Sequence, residues 1–178
     1  MTEAQLLALA AEEGFSDAAM VDTAEIPFDF SFRPYCEENL CGQYGANYSC
    51  PPDCGTCEEM KARITEKKQA IVLQTVWEIS DYTDKAAIKN AKRTHNQASI
   101  HLLEKMRKDG YDCFMVGASG CGLCEKCTIR DALPCRFPEL KYSCMSAYCI
   151  FVRKLCEQCG MEYNSSDGLL GFFGMIVF

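Results

Sequence analysis

The 178-residue sequence lacks the marks of an exported, membrane-spanning or nucleic-acid-binding chain. Residues 1–14, MTEAQLLALAAEEG, carry no basic segment ahead of a short apolar run, so we expect no signal peptide. No apolar run approaches the roughly 20 residues that a membrane-spanning helix needs. Acidic residues outnumber basic ones by 25 to 18, and the resulting charge of -7 argues against nucleic acid or an anionic membrane as a partner.

The usual catalytic motifs are also missing. The sequence shows no phosphate-binding glycine loop, no nucleophile beside a base and no acid pair. It has no linker, repeat or low-complexity tract either, so we predict one domain over residues 1–178. What the chain does have is 14 cysteines. A cytoplasmic protein keeps its thiols reduced, so we expect these cysteines to be metal ligands or redox groups rather than disulfides.

The densest cysteine group lies in the segment Gly117–Glu139. Cys121, Cys124 and Cys127 recur at every third residue, and Cys135 follows. Three thiolates at this spacing on a looping backbone can point at one centre, and an uninterrupted C-x2-C-x2-C with a later cysteine is the run with which ferredoxins hold a 4Fe–4S cluster. Zinc sites usually divide their ligands into two separate C-x2-C pairs. The spacing favours an iron–sulfur cluster, with zinc as the alternative.

A second cysteine group lies in residues 25–55, a long segment without clear periodicity. Its candidate metal ligands are Cys36, Cys41 and Cys50. A loop of this length in a compact domain is usually functional or disordered, so we expect bound metal to order it. Three cysteines leave a fourth metal position, which Cys54, Cys57, another residue or an external ligand would fill.

Arg33 and Arg136 each flank one of these groups. A guanidinium beside a cluster could donate hydrogen bonds to its sulfides or offset its negative charge. We therefore predict that both arginines contact the cofactor. A plain surface salt bridge is the open alternative for each.

The remaining sequence predicts helices that alternate with buried strands. Capping residues and apolar periodicity indicate helices at residues 2–13, 56–68, 84–108 and 143–160. Apolar runs indicate strands at 18–24, 70–79 and 111–118, around 162 and at 170–178. This pattern predicts an α/β layer fold with a partly parallel sheet and two long cysteine-rich loops. Each loop follows a strand, so we expect the two to meet where the carboxyl ends of parallel strands gather.

Several segments resemble a cysteine-rich family of predicted metal-binding proteins, found mainly in bacteria and archaea, many of them anaerobic. The likeness runs from about Tyr35 to Phe178 and includes CGQYGANYSCPP, VLQTVWEISDYTD, GASGCGLCEKC, PCRFPE, SCMSAYCIFV and LLGFFGMIVF. The resemblance implies metal binding but no firm activity. The family's cysteines would fall on Cys36, Cys41, Cys50, Cys121, Cys124, Cys127 and Cys135.

Three classes of function are compatible with this sequence. The favoured one is a cytoplasmic iron–sulfur protein of a low-oxygen cell, which transfers electrons or serves as the redox component of a larger enzyme and has a redox protein as partner. The second is a zinc module that docks a partner. The third is an enzyme with an open iron at Cys36, Cys41 and Cys50. The oligomeric state does not follow from the sequence.

Overall fold

The computed structural model describes residues 1–163 and 168–178, which form five α-helices and five strands. The helices are α1 (Glu3–Glu12), α2 (Arg33–Glu37), α3 (Cys57–Thr65), α4 (Lys85–Lys108) and α5 (Val152–Gln158). The strands are β1 (Asp17–Asp22), β2 (Gln69–Glu78), β3 (Phe114–Gly117), β4 (Ser143–Cys144) and β5 (Leu169–Val177). The predicted α/β class is confirmed. None of the helices in the described ranges is long and apolar enough to cross a membrane.

The five strands form one mixed sheet in the order β1-β2-β5-β3-β4. Neighbours are antiparallel except for β3 and β4, which run parallel. The last strand in the chain, β5, therefore lies near the centre of the sheet, between β2 and β3. The partly parallel sheet predicted from the sequence is confirmed, although a single pair of strands supplies its parallel part.

Helices cover both faces of the sheet, which explains why β2 is apolar at successive positions. Ile71 and Leu73 pack with α1 and α4 on one face. Ala70 and Val72 pack with α3 and α5 on the other. Side chains of a strand alternate between faces, so a strand covered on both sides must be apolar on both.

The helix starts follow the predicted capping chemistry. Thr2 and Thr56 each form a complete capping box with the residue three positions on. Asp84 accepts hydrogen bonds from the backbone N–H groups of Ala86 and Ala87 at the start of α4. The histidine of α4, His95, is fully buried, as its place on the apolar stripe indicated.

Two predicted elements differ from the structure. The expected helix at 143–160 is α5 alone, because Ser143 and Cys144 pair with β3 and Cys149 has a left-handed backbone, with φ of 56°. The expected strand around Glu162 is absent from the described residues, where the Glu162 carbonyl instead accepts a hydrogen bond from Gln74 Nε2 at 2.8 Å. Residues 164–167 lie outside the described ranges. The strands expected at 18–24 and 111–118 are shorter, at the bounds given for β1 and β3.

The directions of β1 and β3 are opposite, so the cysteine loops that follow them leave opposite ends of the sheet. The loops meet nevertheless, because the first loop runs across the sheet face that α3 and α5 cover. Phe28 in this loop pairs with Ile150, and Ile26 packs in the core of that face. The expected meeting of the loops is confirmed, but the reason given for it, parallel carboxyl ends, is wrong.

Candidate metal centre

The four cysteines that follow β3 line one pocket. They are Cys121, Cys124, Cys127 and Cys135. Residues 47–49 of the first loop close another side of this pocket. The chain thus brings together the four thiols that the sequence singled out, while their role as metal ligands stays a prediction.

The backbone at the start of this loop is held in place by two side chains, Tyr142 and Asn96, that pack directly against it. A Cβ atom on Gly117 would lie 2.7 Å from the Tyr142 ring and 2.9 Å from Asn96 Oδ1. Asn96 Oδ1 accepts a hydrogen bond from the Ala118 N–H at 2.9 Å. Tyr142 Oη accepts one from the Gly122 N–H at 3.0 Å. Glycine is required at position 117 because these two side chains approach the backbone this closely.

The end of the loop is turned back by a short 3₁₀ helix, Thr128–Asp131. Ala132 adopts a left-handed conformation, with φ of 53°. Thr128 Oγ1 donates a hydrogen bond to the Pro134 carbonyl at 2.8 Å, and Thr128 is buried. This turn returns Cys135 to the other three cysteines, which accounts for its wider spacing in the sequence.

The three predicted ligands of the first loop lie near one another and near two further thiols, Cys144 and Cys54. Burial raises the pKa of Cys36, and nearby Cys144 and Cys41 raise it further. Burial raises the pKa of Cys50 to about 12, and Cys144 and Cys41 again add to the shift. Thiols influence one another in this way only at short range. Cys54 raises the pKa of both thiols as well, by less than Cys144 does, so Cys144 and Cys54 both lie near Cys36, Cys41 and Cys50.

Cys144 is the residue that the sequence reasoning missed. It ends β4 beside Gly117 of β3, so the one parallel pair of strands delivers Cys144 and the second cysteine loop to the same edge. Burial raises the pKa of Cys144, against the opposing effect of the Ser146 and Ala147 N–H groups directed at its sulfur. Backbone N–H groups aimed at sulfur are a feature of metal-bound thiolates. Its place in SCMSAY, one of the segments with family resemblance, was the available signal.

Asn47 connects the two groups of thiols, and it too was not singled out. The side chain is buried and lies beside the Cys50 thiol, where its hydrogen bond opposes the pKa rise that burial causes. Its Oδ1 atom accepts a hydrogen bond from the Ser49 N–H at 2.9 Å. Asn47 also lines the pocket of the second group.

The other two candidates for the fourth position lie differently. Cys54 is buried near Cys36, Cys50 and Cys144: it raises the pKa of Cys36 and Cys50, and Cys144 adds to the rise that burial causes in its own pKa. Cys57 points elsewhere: its Sγ atom lies 3.6 Å from Cys149 Sγ.

The two flanking arginines have different surroundings. Arg33 donates hydrogen bonds to the carbonyls of Gly55 at 3.2 Å and Ala147 at 2.9 Å. In the described part of the chain its partners are carbonyls and thiols, so the surface salt bridge does not apply to it. Arg136 is exposed. Contact of either arginine with a cofactor stays a prediction.

The two thiol groups are direct neighbours. Tyr48 Oη donates a hydrogen bond to the Leu133 carbonyl at 2.9 Å, which joins the first loop to the second. A Cβ atom on Gly120 would lie 3.3 Å from Cys50 Sγ. In residues 1–163 and 168–178, no three Cys, His, Asp or Glu side chains are placed to hold one metal ion. Thiolates of a cubane cluster each bind a different iron, so they lie further apart than ligands that share one ion.

These features describe a cysteine-rich α/β protein in which a pocket of four cysteines lies next to a second group of thiols. The chain belongs to the family described as "Predicted metal-binding protein (DUF2284)", whose model matches residues 19–178. The family resemblance found in the sequence is thereby confirmed. No curated protein and no solved structure matches the chain.

Proposed function

We propose that this protein is an electron carrier with two 4Fe–4S clusters, which works in the cytoplasm with a redox protein as partner. Cys121, Cys124, Cys127 and Cys135 hold one cluster. Cys36, Cys41, Cys50 and Cys144 hold the other. The observation that carries the proposal is the presence of two neighbouring groups, each with at least four cysteines, in a chain of the metal-binding family.

Ligand chemistry favours iron–sulfur over zinc at the second group. Thiolate-only coordination suits both. An uninterrupted run of three cysteines with a later fourth is typical of cluster loops, whereas zinc ligands come in separated pairs. At the first group, the N–H groups of Ser146 and Ala147 directed at Cys144 would lower the energy of the electron-rich sulfur of a bound cluster.

The fourth thiol supports a carrier over an enzyme. An open metal position is what lets a small molecule bind and react. With Cys144 beside Cys36, Cys41 and Cys50, the protein supplies a thiolate for every iron of a cubane. A closed cluster can exchange electrons but offers no vacancy to a substrate.

Proximity of the two groups supports electron relay between them. Tyr48 and Leu133 join the loops by a direct hydrogen bond, and Cys50 lies against Gly120 of the other loop. Electrons that enter at one cluster can therefore pass to the other over a short distance.

Anaerobic purification with quantification of iron, zinc and acid-labile sulfide tests the proposal. We expect brown protein with about eight iron and about eight sulfide per chain, and a broad absorption that dithionite bleaches. A colourless protein with stoichiometric zinc would sink the iron–sulfur proposal and favour the docking module.

Replacement of Cys124 by Ser tests the role of metal in ordering the second loop, because metal-binding energy becomes folding energy. We expect the variant to lose one cluster and to exchange amide hydrogens faster in residues 117–139, while α4 keeps its protection. Cys113→Ser, a buried cysteine in neither group, is the control. Unchanged protection of the loop in metal-free protein would contradict the reasoning.

A further inference from the structure

Cys57 and Cys149 form a pair of thiols that neither metal group uses. Their Sγ atoms are 3.6 Å apart, and the two residues are 92 positions apart in the chain. Both are free thiols. A disulfide bond would require the sulfurs to approach to about 2.05 Å, a small movement from van der Waals contact.

The two thiols differ in access. Cys57 is the first residue of α3, directly after the cap residue Thr56, and it is half-buried. Cys149 is fully buried. A reagent from solution can therefore reach Cys57 first and Cys149 only through it.

The backbone and charge around Cys149 are unusual for a packing residue. Its φ of 56° is left-handed, a conformation that costs a residue with a side chain of order 1 kcal/mol or more and that occurs often at functional sites. The Arg33 guanidinium lies near Cys149 and Cys57. Burial raises the pKa of Cys149 to about 11, and Arg33 opposes this rise because a cation stabilises a nearby thiolate.

We propose that Cys57 and Cys149 are a redox-active dithiol that reduces a disulfide substrate. The Cys57 thiolate attacks one sulfur of the substrate disulfide, whose S–S bond breaks. A mixed disulfide with Cys57 forms, and the first substrate thiolate leaves and takes up a proton. Cys149 then loses its proton and attacks Cys57 Sγ. The Cys57–Cys149 bond forms and the second substrate thiolate leaves, so two electrons pass from the protein dithiol to the substrate.

Reaction of the anaerobic metal-loaded protein with glutathione disulfide tests this inference. We expect each chain to release two molecules of glutathione and retain none. After free thiols are blocked with N-ethylmaleimide, proteolysis should yield a peptide pair that is linked through Cys57 and Cys149. Iron content should not change, because the reaction does not involve the metal groups.

Two variants separate the roles of the thiols. Cys149→Ser should stop at the mixed disulfide, with one glutathione released and one bound to Cys57. Cys57→Ser should leave Cys149 unmodified, because Cys149 is buried. Cys113→Ser, the matched buried control, should react as the unmodified protein does.

The outcome that would overturn the proposal is a wild-type peptide map without the Cys57–Cys149 link. Release of two glutathione molecules from Cys149→Ser would equally contradict it, because another thiol would then resolve the mixed disulfide. If Cys149→Ser fails to fold, the wild-type map alone decides.

Discussion

The replacement of Cys144 by Ser is the sharpest test of the candidate metal centre, because three different cysteines compete for one position. Cys144, Cys54 and Cys57 could each complete the group of the first loop. The structure directs Cys57 to Cys149 and places both Cys144 and Cys54 near Cys36 and Cys50, with Cys144 raising the pKa of these two thiols more than Cys54 does. Serine keeps the size of the side chain and can still accept hydrogen bonds from the N–H groups that face position 144.

The expected magnitude follows from the two groups of four thiols. Each 4Fe–4S cluster contributes four iron and four sulfide. The content of the Cys144→Ser variant should therefore fall from about eight to about four of each per chain. Cys57→Ser should keep about eight of each. The assay is iron and sulfide quantification on anaerobic protein, with circular dichroism to show that the helices persist.

Two outcomes would refute the assignment. If Cys54→Ser loses half of the iron while Cys144→Ser keeps all of it, Cys54 is the fourth ligand. If Cys144→Ser and Cys54→Ser both keep their sulfide and their colour, three thiolates suffice to hold the cluster. That second result would restore the enzyme with an open iron as the leading function.

Three further predictions concern stability. Tyr142→Phe removes the acceptor of the Gly122 N–H and, because Gly122 is exposed to water, should lower the free energy of unfolding by about 0.5–1.5 kcal/mol, measured by chemical denaturation. Gly174→Ala should also cost about 1–3 kcal/mol, since the new Cβ would lie 2.8 Å from His95 Nε2 and the Val116 carbonyl; an unchanged midpoint would contradict this packing. Burial lowers the pKa of His95 from 6.5 to about 4, so unfolding takes up a proton below pH 6.5 and stability should fall by about 3 kcal/mol as the pH drops towards 4. His95→Gln should remove this part of the pH dependence, and equal slopes for both proteins would argue against it.

Local signals were sufficient for much of the fold. Thr2 and Thr56 begin helices because their side chains cap the first turn, which needs only neighbouring residues. β2 could be predicted as a buried strand because its apolar run is shielded from water only when both faces of the sheet are covered. The cysteine spacing after β3 likewise predicted that Cys121 to Cys135 would gather in one place.

The rest depended on pairings between distant residues. β4 has two residues and becomes a strand only through its partners in β3, so no periodicity could reveal it. With Ser143 and Cys144 assigned to a helix, Cys144 could not be recognised as a neighbour of the first loop. The meeting of the two loops depends on a path across one sheet face, anchored by Phe28 and Ile150, which no spacing encodes.

Because Cys144 lies late in the chain, the two proposed clusters restrict the entropy of the unfolded chain to different extents. A cluster on Cys121 to Cys135 closes short loops, whereas one that joins Cys36 to Cys144 ties together segments about 100 residues apart. On the scale of disulfide cross-links, closing a loop of about 15 residues stabilises a fold by about 3 kcal/mol, and closing one of about 100 residues by about 4.7 kcal/mol. Loss of the cluster on Cys36, Cys41, Cys50 and Cys144 should therefore lower the melting temperature of the protein more than loss of the cluster on Cys121, Cys124, Cys127 and Cys135.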